Sequence, residues 1–149
     1  MSLVHVKTKI AAPIERVWET VMDPNRLEQW VTIHRALKDV SDGPLGAGST
    51  MDQVLHLVGI SFQVHWTLVD VHPPKHAEWE GRGPAHSRAR IRYELSSDSD
   101  DSTDFEYFND FTVPGGRLGL VASRVIVGAA SEREADHSLQ KLKALLERG

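Results

Sequence analysis

Residues 88–111 read RARIRYELSSDSDDSTDFEYFNDF. Two runs of period-two alternation flank an acidic, serine-rich middle, the pattern of two antiparallel strands joined by a solvated turn. Setting Arg92 opposite Glu106 places Arg88 opposite Asp110 and turns the chain near Ser99. The other parity then pairs Tyr93 with Phe105, Ile91 with Tyr107 and Ala89 with Asn109. One face of this hairpin is charged and the other apolar and aromatic, so the sheet it belongs to has one covered face. The tip, Asp98 to Asp101, reads as a solvated loop, because a Ser/Asp turn does not hold ligands rigidly enough for a cation.

Upstream, from Thr32 to Phe111, short runs rich in Val, Ile, Leu, Thr and aromatics alternate with breakers at Asp42-Gly43-Pro44, Gly59, Pro73-Pro74 and Gly83-Pro84. Nothing with a helical period interrupts them, which predicts six consecutive strands in an antiparallel meander. Pairing across Pro73-Pro74 sets Val69 opposite Trp79 and Val71 opposite Ala77. Odd positions, including His65 and Thr67, then face inward. Phe62, Val64, Trp66 and Leu68 are apolar too, so either a bulge switches parity near Leu68 or a second copy of the chain, in a homodimer, covers the outer face.

Met1 to Ile10 alternates as a further strand. Pro13 suits the first position of a helix, with Ile14, Val17, Trp18 and Val21 on one face and Asp23-Pro24-Asn25 ending it before a second short helix through Trp30. After Pro114-Gly115-Gly116 the period returns to 3.6, with Leu118, Val121, Val125, Leu139, Leu142 and Leu146 on one stripe. Gly128, Ala129, Glu132 and Ala135 occupy its middle, which predicts a gap opposite the sheet. Ser131 with Glu134 offers the alternative of a separate helix starting after a break at Gly128.

The 149 residues carry 17 basic and 21 acidic side chains, a net charge of −4, and no cysteine. That length suits one domain over residues 1–149. The charge gives no surplus to attract a phosphate backbone, and no stretch approaches the ~20 apolar residues of a membrane span. The expectation is a cytoplasmic protein that binds no nucleic acid and does not insert into membranes. Gly43 to Thr50 has glycines spaced like a phosphate loop, but Ser49 stands where the lysine is needed. No histidine pair has metal-ligand spacing, so the reading assigns neither metal nor cofactor.

The order of strand, two short helices, six-strand meander and long helix resembles the START-like helix-grip superfamily (SRPBCC), and within it the polyketide cyclase/dehydratase and lipid-transport family. The likeness rests on Ile10-Ala11-Ala12-Pro13-Ile14-Glu15-Arg16-Val17-Trp18, Trp30 after Asp23-Pro24, and Gly46-Ala47-Gly48. It continues with Val69-Asp70-Val71-His72-Pro73-Pro74, Phe111-Thr112-Val113-Pro114-Gly115-Gly116 and Ser138-Leu139-Gln140-Lys141-Leu142-Lys143. The resemblance implies an α+β helix-grip fold: a curved seven-strand antiparallel sheet, two short N-terminal helices, and a long C-terminal helix over the concave face. It also implies a cavity between the two.

A pocket for a small hydrophobic molecule needs apolar walls and a few orienting polar groups. The inward parities nominate His65, Trp79, Tyr93, Tyr107 and Asn109 on the sheet, with Val125 and Ala129 on the helix. Binding of a small lipid- or polyketide-like ligand is the expected function. The alternative is a cyclase/dehydratase-type enzyme in which His65 moves protons and Tyr93 or Tyr107 holds an enolate oxygen. A third reading is a protein-interaction module.

Overall fold

The computed structural model describes residues 2–57, 59–112 and 118–148, without the side chains of residues 2, 85 and 118–130. Its elements are β1 (Ser2–Ile10), α1 (Ile14–Val21), a 3-10 turn (Pro24–Arg26), α2 (Leu27–Trp30), β2 (His34–Lys38), β3 (Thr50–Leu57), β4 (Ile60–His72), β5 (His76–Arg82), a second 3-10 turn (Pro84–His86), β6 (Arg88–Ser99), β7 (Ser102–Thr112) and α3 (Leu118–Glu147). The seven strands form one sheet in the order β1-β7-β6-β5-β4-β3-β2, antiparallel throughout. The sheet curls into a half-barrel with the C-terminal helix against it, the helix-grip architecture that the sequence implies.

Each N-terminal helix begins where the chain chemistry directs. The Pro13 carbonyl accepts from Val17 N–H at 3.1 Å, and the Asp23 carboxylate accepts from Asn25 N–H at 3.0 Å to open the turn leading into α2. Ile14, Val17, Thr20 and Val21 bury one face of α1. α3 runs unbroken through residue 128, so no second helix starts at Ser131. Its described C-terminal half buries Leu139, Leu142 and Leu146. Its end is tied to β1: Lys143 Nζ donates to the Lys9 carbonyl at 2.8 Å, and Ala11 N–H donates to Glu147 at 2.8 Å.

Two register expectations change. In the β6–β7 hairpin Arg92 lies opposite Phe108, not Glu106, and Tyr93 opposite Tyr107; Ile91 meets Asn109 and Leu95 meets Phe105. The slip is two residues, so every side chain keeps its face. It sets Glu94 opposite Glu106, a like-charge pair that a sheet ordinarily avoids. Histidines of the flanking strands meet both carboxylates, His76 at Glu94 (2.6 Å) and His5 at Glu106 (2.8 Å). Arg92 instead covers the Phe108 ring, 4.1 Å from its centroid. The chain turns at Asp100-Asp101, with an irregularity between Ser97 and Ser99 absorbing the difference.

The second change is in β4. Val71 opposes Ala77 as expected, but Leu68, not Val69, opposes Trp79, and the register shifts between Leu68 and Asp70. Val69 is the extra residue of a bulge, which turns the parity of everything before it. Val64, Trp66 and Leu68 are therefore buried, while His65 is exposed. The covering subunit that the sequence left open is not needed to account for these apolar residues.

Candidate ligand pocket

Between the inner sheet face, the α1–α2 corner and α3 lies a partly open cavity of about 100 Å³. Successive inward positions of the strands build one wall: Met51 and Gln53 from β3, Trp66 from β4, Trp79 from β5, Ile91 and Tyr93 from β6, Tyr107 and Asn109 from β7. Val21, Met22, Leu27 and Trp30 close one end. α3 supplies Ser131, Glu134, Ala135, Ser138 and Leu139, one helical face at i, i+3, i+4, i+7 and i+8.

Several of these side chains are fixed from behind. Trp66 lies against Gly81, its cross-strand partner, so closely that a β-carbon there would fall 2.5 Å from the ring. Its indole N–H donates to Gln53 Oε1 at 2.9 Å, and the Gln53 amide reaches His34 Nδ1 at 2.9 Å. Burial lowers the His34 pKa, against a smaller opposing effect of Glu28, which suits an uncharged ring accepting from Gln53. On the helix side Thr32 docks the chain after α2. Its N–H donates to Ser138 Oγ at 3.0 Å and its hydroxyl to Glu134 Oε2 at 2.5 Å.

Tyr93 and Tyr107 pair across the hairpin with ring centroids 6.1 Å apart, and Trp30 tilts over Tyr93 at 6.2 Å. Burial raises the Tyr93 pKa, with Tyr107 adding to the effect. Tyr107 is pushed up to about 12 by burial, against a hydrogen bond from Asn109 that favours the ionised form. Both phenols are therefore neutral hydrogen-bonding groups at physiological pH. Trp30 Nε1 and Asn109 Oδ1, in wall residues, are buried without a hydrogen-bond partner among the described residues.

Of the residues nominated from sequence, the fold brings Trp79, Tyr93, Tyr107 and Asn109 together here. It does not bring His65: the β4 bulge turns that ring to the outer face, where Nδ1 meets Asp52 at 2.6 Å. The side chains of Val125 and Ala129, and the gap expected at Gly128, lie outside the described residues, as does Pro114-Gly115-Gly116. Glu132, placed on the stripe from sequence, is exposed. Among the described residues no group of three or more His, Cys, Asp or Glu could hold a metal ion, and no helix is long and apolar enough to cross a membrane.

Residues 1–147 match the family described as polyketide cyclase / dehydrase and lipid transport. The chain belongs to that family. Solved structures of other proteins share its fold over nearly the whole length. A START superfamily protein from Mycobacterium smegmatis has a TM-score of 0.81 at 16% identity, covering 99% of each chain. The Zhui aromatase/cyclase from Streptomyces has a TM-score of 0.80 at 16% identity, covering 98% of this chain and 93% of that one. Toxin Rv0910 of Mycobacterium tuberculosis is 24% identical over 82 residues, which are 55% of this chain. The match spans 57% of that relative's own length.

Within this polyketide cyclase/dehydrase family member, sequence reasoning missed Trp30, Gln53, Trp66 and Glu134. Gln53 carried a signal: it is the polar member of an inward series, Met51-Gln53-Leu55, whose apolar members are both buried. Trp66 was hidden by the bulge. Glu134 was read only as a helix cap.

Proposed function

We propose that the protein holds a small apolar or aromatic guest in the cavity between the sheet and α3. The observation that carries this is the void itself, bounded by Trp30, Trp66, Trp79, Tyr93 and Tyr107, where a domain of this size would ordinarily be packed solid. Aromatic walls with a few fixed polar groups are the usual makeup of a small-molecule site. At about 100 Å³ and partly open, against the roughly 150 Å³ of a closed apolar cavity that takes benzene, the space limits the guest to about one ring or a short chain. Tyr93, Tyr107 and Asn109 are the groups we assign to orienting it. The family's lipid-transport and polyketide-cyclase character, and the aromatase/cyclase among the structural relatives, agree with a hydrophobic guest.

Catalysis is the weaker reading, because its proposed proton carrier, His65, is on the far face of the sheet. The two phenols, held neutral, donate hydrogen bonds without serving as bases. Native mass spectrometry of the freshly purified protein tests the binding proposal. The expected result is a stoichiometric adduct that is lost on denaturation. Bare protein, together with no thermal shift from any single-ring compound, overturns it.

A further inference from the structure

Among the described residues the cavity wall carries one carboxylate, Glu134 on α3, and no Lys, Arg or His. Glu134 makes no salt bridge among the described residues. It is held in place by Thr32, whose hydroxyl donates to Oε2 at 2.5 Å. The second oxygen, Oε1, accepts no hydrogen bond from a described residue. An ionised carboxylate is acceptor-only, and a guest that closes over it strips water from Oε1. A guest with nothing to donate leaves that oxygen desolvated and unmet, and an anionic guest adds repulsion that no basic group among the described lining residues offsets.

We propose that Glu134 is the specificity-determining residue of the pocket, and that it selects a compact ring compound bearing a hydrogen-bond donor, a hydroxyl or an ammonium, while rejecting carboxylates and phosphates. This deepens the binding proposal and rests on it. The aromatic lining accommodates the ring of either donor class, and it additionally favours a cation through the ring faces.

A matched series with one ring and one changing substituent tests this by calorimetry on the full chain: ethylbenzene, benzyl alcohol, benzylamine and benzoate. The expected order places benzyl alcohol or benzylamine at least about tenfold tighter than ethylbenzene, the scale set by one buried acceptor left unmet, with benzoate weakest. Glu134→Gln keeps an oxygen for Thr32 but removes the charge. It should erase the benzylamine advantage over ethylbenzene if the preferred donor is a cation, and reduce the benzyl alcohol advantage if it is a hydroxyl, because an NH2 donor then stands where Oε1 accepted. In either case benzoate should gain relative to the others. Thr32→Val, which frees the carboxylate without deleting it, should weaken the donor-bearing guest and leave ethylbenzene unchanged. Equal affinities across the neutral and cationic members, or a benzoate affinity matching theirs, overturn the assignment to Glu134 while the binding proposal stands. Binding of none of the four overturns both.

Discussion

Tyr93 and Tyr107 are the chain's two tyrosines, and both line the cavity, so any phenol signal from this protein reports on that one place. Burial raises both pKa values above the ordinary 10, Tyr107 to about 12. The folded state therefore keeps protons that the unfolded chain has released. The stabilisation is fully present below pH 10 and is lost as pH rises toward 12 and beyond. Native protein should show almost no tyrosinate absorbance at pH 10, where the guanidinium-unfolded chain is about half ionised, and its unfolding midpoint should fall steadily above that pH. Tyrosinate appearing in the native protein with a midpoint near 10 would mean that the rings are wet. His65 makes the contrast: it sits next to Trp66 in the chain and has no part in the cavity. A residue's chemistry was readable from its type, but its side of the sheet was not, because parity depends on a backbone event several residues away.

At the scale of elements, that event is the bulge at Val69. The order of strands and helices was legible because breakers and periodicity are local: Ala12-Pro13, Asp23-Pro24 and Pro73-Pro74 each end an element where they stand. The β6–β7 faces were legible for the same reason, since alternation survives a slip of two residues. The register itself was not. It was argued from Arg92 facing Glu106, an exposed ion pair worth about 0–1 kcal/mol, and packing between Tyr93 and Tyr107 and between Leu95 and Phe105 outweighs that. The bulge left a partial mark, apolar residues on both parities from Phe62 to Leu68, but residue types alone did not choose between a bulge and a covering subunit. Its consequence is measurable. Leu68, fully buried, should lose about 2–5 kcal/mol on truncation to Ala, whereas Val69→Lys should stay within about 0.5 kcal/mol of wild type in urea denaturation. A regular strand with odd positions inward would give the opposite ranking.

Across the whole molecule the space beneath the half-barrel is divided along α3. Toward its C-terminus Leu142 and Leu146 are fully buried and do not line the cavity. About two to three turns before Leu142 the same helix presents Ser131, Glu134 and Ala135 to the void. Small and polar residues at those positions cost packing that larger apolar side chains would supply, so the two ends should separate stability from binding. Leu146→Ala should lower stability by about 2–5 kcal/mol in denaturant unfolding while the folded fraction keeps its affinity for a single-ring guest, because Leu146 lies about two turns beyond Leu139, the last helix residue lining the cavity. Ala135→Phe should do the reverse, filling the cavity with a ring of its own. Thermal unfolding should then be unchanged or shifted upward, and calorimetry should show no heat with any guest that the wild type binds. An Ala135→Phe protein that still binds at wild-type affinity would place the guest elsewhere. One that unfolds at markedly lower temperature would show that the void is smaller than its walls suggest, because overpacking a filled core is destabilising by about 1–3 kcal/mol.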